Sequence, residues 1–350
     1  MAGTSLSPAE ALLSKRVQEM VLNGEEPPHL YICRKGDEAK EVPSHLTPIP
    51  VINFGLISSS EPSMKQEDEL QKLKSALHSW GCFQAIGHGI STTLLDNIRQ
   101  VGKQFFEQPM EAKKKFSKGV QEAQGYGADV PPEEGTPLNW SDRLLLFVYP
   151  EHTKNPNIWP QSFRKVLEEY SVNIKKLTEE ISKAMAKSLN LEENSFLNQF
   201  GEESTLKARF NYYSRCQRPD LVFGHRPHTD GNGYTIILQD EVEGFQTLKD
   251  EQWFTIPTSS DALLVLMGDQ MEIMSNGIFK SPVHRVVTNS ETDRLSVGMF
   301  YSPDPNKEIG PEERLINEET PRLFRNIKNY GAMHFGHYQR GMSAIHVAKV

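Results

Sequence analysis

Helices wrapped around a β-rich sandwich or barrel, an α+β class, is the fold this sequence predicts, on three observations. From about residue 205 the chain breaks into closely spaced, short strand-like runs with turns between them. Upstream, helical periodicity prevails, most clearly in KVLEEYSVNIKKLTEEISKAMAKSL within roughly 160–200. Strand and helix patterns nowhere alternate in the regular way of a βαβ repeat.

The elements follow in order. Ser7-Pro8-Ala9-Glu10 reads as a helix start, with a capping serine, proline at the first position and an acid behind it. That helix carries ALLSKRVQEMVL to Gly24 and the EEPPHL connector. IPVINF (49–54) predicts a strand, MKQEDELQKLKSALHSW (64–80) an amphipathic helix and GCFQAIGHGI (81–90) a short apolar strand. STTLLDNIRQVGKQFFEQP then opens a helix with its own cap. Residues 119–139, rich in Gly, Pro and Glu, are expected to form an exposed loop, and DRLLLFVYP (142–150) a strand.

Beyond 205 the predicted strands are LKARFNYYS, YTIILQD, GFQTLKDEQWFTIP, ALLVLM, MEIMSNGIFK, PVHRVVTN and RLSVGMFYS. TPRLFRNIKNYGAMHF is expected to be helical. The chain thus divides into an N-terminal region over 1–118 that packs on the core, the 119–139 loop, and 140–350 with further helices, the β core at about 205–303 and a C-terminal helix. One integrated unit is expected.

The 350 residues suffice for a large core. A net charge of −8, spread along the chain, argues against nucleic acid or an anionic membrane as main partner. Cys33, Cys82 and Cys216 are odd in number and far apart, which predicts free thiols in a reducing compartment. With no signal-peptide pattern and no 18-residue apolar run, a cytoplasmic location is expected, and nothing demands more than a monomer.

The chemistry gathers in GHRPHTDGNGYTIILQD (224–240). In a strand, residues i and i+2 share a face, so His228 and Asp230 point the same way and His225 points away. Two ligands hold a metal weakly. SNGIFKSPVHRVVTN supplies a third: Asn276-Gly277 is a hairpin signal that sets the register of the following strand, placing His284 to meet the pair across the barrel. Two histidines and one carboxylate with free positions opposite form the facial triad of non-haem Fe(II) sites.

In DRLSVGMFYS, Arg294, Ser296, Gly298 and Phe300 fall on one face and Leu295, Val297, Met299 and Tyr301 on the other. A buried unpaired arginine is costly, so the polar face expects an anion, and Arg with a neighbouring hydroxyl suits a carboxylate. Asn211 and Tyr213 share a face and would contact the other end of the same acid. Met267, Met271, Met274 and Phe300 read by themselves as core packing, and His225, His29, His45 and His152 as loop or surface residues.

This order of motifs resembles the plant soluble 2-oxoglutarate/Fe(II)-dependent dioxygenases over nearly the whole chain. IPVINF, WGCFQAIGHGI, FFEQPMEAKKKF, NYYSRCQRPDLVFG, HTDGNGYTIILQD, GDQMEIMSNGIFKSPVHRVVTN and RLSVGMF carry the likeness. The resemblance implies a double-stranded β-helix, or jelly roll, flanked by helices. It implies His228, Asp230 and His284 as iron ligands, Arg294 and Ser296 on the distal carboxylate of 2-oxoglutarate, and Tyr213 and Asn211 positioning that cosubstrate. Fe(II), 2-oxoglutarate and O2 are thereby implied, with ascorbate as reductant.

Phe300 matches a position that stacks on substrate, and Arg143 and Leu145 match pocket-lining positions. QGYG, NWSDRLLL and NGIFKSPVHRVVTN look closest to the branch acting on alkaloids, phenolics and xenobiotics, which includes codeine O-demethylase-like enzymes, flavonoid O-demethylases and a herbicide-hydroxylating oxygenase of rice. The chain departs from the family pattern at Ser214, Gln217, His225 and His88, none in the ligand set. Two other readings stay open: a same-fold Fe(II) oxidase using ascorbate instead of 2-oxoglutarate, and a small-molecule-binding protein without turnover.

Overall fold

The computed structural model describes residues 15–33, 49–59, 63–119, 122–129 and 136–350. Two β-sheets lie face to face. The larger one runs, from edge to edge, through β1 (Val51–Asn53), β2 (Cys82–Ile86), β10 (Leu263–Met267), β7 (Tyr234–Gln239), β12 (Arg294–Ser302), β5 (Thr205–Tyr213), β4 (Asp142–Tyr149) and β3 (Gly125–Gly127). The smaller one holds β6 (Phe223–His228), β11 (His284–Val287), β8 (Phe245–Lys249) and β9 (Gln252–Thr255). From β5 onward successive strands mostly switch sheets, which is the double-stranded β-helix, or jelly roll.

Alternation builds the layers. On β12, Leu295, Val297, Met299 and Tyr301 are buried in one continuous core with Leu167, Ile174 and Ile181 of the long helix Arg164–Ser188. Each such side chain contributes roughly 1.5–3 kcal/mol of burial free energy. The opposite face of the same sheet looks toward the smaller sheet. One end of that interior is filled by Trp80, Ile237, Phe245, Ile256, Leu264, Leu266 and Val286. The other end is open.

Several expected elements fall where the pattern put them. Ser63 accepts from Gln66 N at 3.2 Å and starts the helix Met64–Ser79; Ser91 does the same for Thr92–Glu107, accepting from Leu94 N. The Gln252 end of the β8–β9 hairpin follows Asp250 and Glu251, both at positive φ, 48° and 60°. The three cysteines are buried and form no disulfide. Among the described residues, no helix is long and apolar enough to cross a membrane.

Three expectations need correction. MEIMSNGIFK is not a strand: Asp269–Met274 is a helix, and Asn276 and Gly277 (φ 50° and 78°) end it, with Gly277 N donating to Glu272 O. The same αL preference serves a hairpin or a helix end, so the sequence signal was ambiguous. The 119–139 segment is not all exposed loop, because Gly125–Gly127 pairs with β4 and Tyr126 is buried against Phe105 and Phe106. TPRLFRNIKNYGAMHF is helical only from Tyr330, in the helix Tyr330–Gln339; upstream, Ile327–Lys328 pairs with Glu308–Ile309. The expected helix start at Ser7 and the residue His45 lie outside the described residues.

Candidate active site

His228 ends β6 and His284 begins β11, and the two are direct partners in the antiparallel ladder, ring centroids 4.2 Å apart. They are neighbours within the smaller sheet, so His284 does not reach the pair from across the barrel as the register count predicted. That count assumed a strand running back to Ile278, whereas β11 starts at His284 itself. Asp230 lies two residues past the end of β6. Its Oδ1 sits 3.5 Å from His228 Nε2 and 3.7 Å from His284 Nε2.

Backbone and side chains around the trio fix its donor atoms. Asp230 O accepts from Asp269 N at 2.8 Å, and Thr235 Oγ1 donates to Asp230 Oδ2 at 2.5 Å, which leaves Oδ1 for the imidazoles. His228 Nδ1 faces Arg226 O at 2.8 Å and His284 Nδ1 faces Pro282 O at 3.1 Å. A carbonyl only accepts, so both Nδ1 atoms carry the proton and both Nε2 lone pairs point inward. Burial, reinforced by His228, pushes His284 down to about 4, so it is neutral at pH 7. For Asp230 burial acts upward, but His284 and His228 outweigh it and hold the carboxyl below its ordinary range.

One ligand atom from each of the three lies within 4.8 Å of the others. Bonds of about 2.1 Å at right angles would need donors about 3 Å apart. The two Asp230–imidazole distances, 3.5 and 3.7 Å, are within an ångström of that spacing. Two imidazole nitrogens and one carboxylate oxygen suit a divalent first-row metal.

The trio opens on a cavity of about 750 Å³ between the two sheets, lined by Ser296, Gly298 and Phe300 of β12 and by Lys207, Arg209, Asn211 and Tyr213 of β5. The predicted parity of β12 therefore holds. Gly298 keeps room for Phe300, since a Cβ there would stand 2.9 Å from the ring. Arg294, 2% exposed, lies in register with Tyr213, whose ring is 5.2 Å away. Its Nε donates to Val242 O at 3.0 Å and its Nη2 to Gln239 Oε1 at 2.7 Å, while Nη1 is buried without a partner.

Ser296 is the register partner of Asn211, and Asn211 Oδ1 already accepts from Arg209 Nε at 2.5 Å. Among the described residues, Arg294 Nη1, Ser296 Oγ, Tyr213 OH and Asn211 Nδ2 make no hydrogen bond to protein. Two N–H donors and two hydroxyls able to donate fit an anion with several oxygens.

Leu145 and Arg143 line the cavity from β4, as expected. Arg143 is nonetheless occupied. Its Nη1 donates to Ala123 O at 2.6 Å and its Nε approaches Asp129 Oδ1 at 3.4 Å. Burial brings its pKa down to about 10, so it stays charged. Asp129 also takes Arg209 Nη2 at 3.0 Å and Asn139 Nδ2 at 3.0 Å. Burial would raise that carboxyl, but Arg209 and Arg143 hold it well below its usual range.

His29 and His152 are exposed, as expected, but His225 is not a surface residue. It lines the cavity with its ring 4.2 Å from that of His228. A bulge explains this: between the pairs His284–His228 and Val286–His225, β6 spends three steps against two on β11, so both histidines come to one face. Sequence reasoning also missed Asp129, Thr235 and the C-terminal helix, whose His334 and Tyr338 close one side of the cavity. Arg209 and Lys207 could have been found, because they share parity with Asn211 and Tyr213.

Two family profiles match the chain: the 2OG-Fe(II) oxygenase superfamily over residues 205–303, and the N-terminal region of non-haem dioxygenases in morphine synthesis over residues 49–162. Codeine O-demethylase of Papaver somniferum is 37% identical, covering 88% of this chain and 88% of its own. Flavonol synthase/flavanone 3-hydroxylase of Eustoma exaltatum subsp. russellianum is 37% identical, covering 73% of this chain and 78% of its own. The crystal structure of JOX2 in complex with 2OG, Fe and JA superposes with a TM-score of 0.86 at 31% identity, covering 96% of this chain and 98% of that one.

Proposed function

The chain belongs to the 2OG-Fe(II) oxygenase superfamily, and we propose that it oxidises a C–H bond of a small, largely apolar plant specialised metabolite or xenobiotic. The outcome is hydroxylation or O-demethylation, with 2-oxoglutarate converted to succinate and CO2. The observation that carries this reading is the pairing of a His-Asp-His donor set with a buried guanidinium nitrogen that has no partner.

His228 Nε2, Asp230 Oδ1 and His284 Nε2 would hold Fe(II). Arg294 Nη1 and Ser296 Oγ receive the distal carboxylate of 2-oxoglutarate, and Tyr213 OH and Asn211 Nδ2 position the cosubstrate. When bound, the metal, 2-oxoglutarate and O2 together supply the oxidising power that no side chain has. The chain's own work is placement. Thr235 fixes which Asp230 oxygen faces the metal, and the apolar walls of Leu145 and Phe300 exclude water and orient substrate. Ascorbate serves as external reductant, and the chain acts in the cytoplasm as a monomer, since one copy supplies every site residue.

An ascorbate-driven oxidase on the same fold would leave the Tyr213 and Asn211 donors without a second anionic end to meet. A panel of candidate substrates scored for succinate release, with mass spectrometry for gain of oxygen or loss of methylene, tests the proposal. Succinate should track product one to one and vanish in Asp230→Ala. Product formed without 2-oxoglutarate would transfer the chain to the ascorbate-driven class.

A further inference from the structure

The cavity-facing row of β5 is Thr205, Lys207, Arg209, Asn211 and Tyr213. Arg209 is tied to Asp129 and Asn211. Lys207, two residues along, is different. Its ammonium stands over the Phe147 ring, 4.8 Å from the centroid, and makes no hydrogen bond or ion pair among the described residues. The buried Lys113 is treated otherwise: its Nζ donates to Gln18 Oε1 and to Phe106 O, both at 2.6 Å.

Nearby carboxylates do not answer Lys207. Asp129 is taken by two arginines. Asp304 lines the cavity too, but its Oδ1 accepts from Asn306 N at 2.8 Å and it forms no ion pair with Lys207. Burial alone therefore lowers the lysine's pKa, with no acid to offset it. A ring face compensates an ammonium only in part, so the site is short of one anion.

The register supplies a ruler. Lys207 pairs with Phe300 on β12 and with Phe147 on β4, and Phe300 pairs with Thr235 on β7, whose hydroxyl holds Asp230. Strands lie about 4.8 Å apart, so two strand steps put the Lys207 backbone about 10 Å from that of Thr235. The Lys207 backbone and that of Thr235, which anchors the metal-ligand set, thus stand at one level of the cavity, separated by about the width of one or two rings.

We propose that Lys207 is a specificity-determining residue that receives a carboxylate of the substrate, so that the substrate is an amphipathic organic acid oxidised one to two ring widths from its charge. This rests on the oxygenase reading of the same cavity. It narrows the substrate class from largely apolar molecules to acids, and it assigns anion recognition to Lys207 rather than to Arg143, whose Nη1 and Nε already meet Ala123 O, Gly125 O and Asp129.

The test uses the enzyme loaded with Fe(II) and saturating 2-oxoglutarate without oxygen. The visible Fe(II)·2-oxoglutarate absorption is read first; its absence overturns the oxygenase reading and this inference with it. Calorimetric titrations then compare naphthalene-1-acetic, 4-phenylbutanoic and cinnamic acids with their methyl esters. At least one acid should bind about tenfold or more tighter than its ester, the gain expected of a charge-assisted hydrogen bond. Lys207→Met should remove that advantage with the ester's affinity little changed, and Lys207→Arg should keep most of it.

Ligand-free Lys207→Met should melt no lower than the parent, because it loses an unpaired enclosed charge. With the absorption present, parity of every acid with its ester, an acid preference that survives Lys207→Met, or a marked drop in its melting temperature would each overturn the proposal for Lys207 alone.

Discussion

His284 and His228 face one another directly across the β6–β11 ladder, and the Nε2 atom of each lies within 3.7 Å of a single oxygen, Asp230 Oδ1. Two donors on hydrogen-bonded neighbouring strands cannot drift apart without breaking the sheet. The third, Asp230, sits on a loop and depends on what ties that loop down. Position comes from the sheet; aim comes from Thr235 and the backbone of Asp269.

Thr235→Val keeps shape and removes the hydroxyl that binds Asp230 Oδ2. With either carboxylate oxygen then free to turn inward, metal affinity should fall about 10- to 100-fold, as for other groups that orient a ligand. Titration with Co(II) followed by its visible spectrum measures this directly. Unchanged affinity would show that the Asp269 amide suffices.

Arg294→Ala removes the orphaned Nη1 and frees Gln239 Oε1. The KM for 2-oxoglutarate should rise by about two orders of magnitude, the worth of charge-assisted hydrogen bonds to a carboxylate, with substrate affinity little changed. Steady-state succinate formation across a 2-oxoglutarate series reads it out, and an unaltered KM would take Arg294 out of the cosubstrate site.

Asp129→Ala leaves Arg143 and Arg209 enclosed and facing each other. Breaking such a network by removing one partner should cost about 3 kcal/mol, seen as a lower urea midpoint at unchanged slope. Reintroducing neutrality on the other side, in Asp129→Ala with Arg209→Met, should recover part of the loss, because the two sites share one partner and are not additive.

Asp142 is fully buried and accepts from Gln18 N at 2.9 Å. Burial pushes it up to about 6, against the opposing pull of that N–H and of Arg16. Its folded value thus exceeds the unfolded one of about 3.9, so the folded state holds the proton more tightly and stability declines as pH rises from about 4 to 6. Asp142→Asn should abolish this part of the slope, gaining stability over the parent by up to about 3 kcal/mol above pH 6. Melting temperatures at pH 4.5 and 7 decide it; a gap between variants that does not widen with pH would contradict the assignment.

Legibility of the site followed the regularity of its strands. On β12 and β5, nine consecutive pairs run without a break, so counting by two correctly separated Arg294, Ser296 and Phe300 from Leu295, Val297 and Tyr301, and aligned Asn211 with Tyr213. The same count failed on β6, where the bulge brought His225 beside His228; it did bring His228 and Asp230 together, although Asp230 lies past the end of the strand. It failed again before β11, because Asn276-Gly277 closes a helix. Periodicity describes a ladder only while the ladder is unbroken.

Composition and local pattern by themselves determined the β-rich core, the long helices, the polar face of β12 and the residue types of a metal-binding trio, since each depends on neighbours a few positions away. Only the tertiary structure decided that His228 and His284 are adjacent in one sheet, that Asp129 occupies Arg143 and Arg209, and that Lys207 is left without an anion. Those facts depend on groups brought together from strands and loops far apart in the chain. Whether a buried charge is satisfied is a property of its surroundings, and no local pattern encodes them.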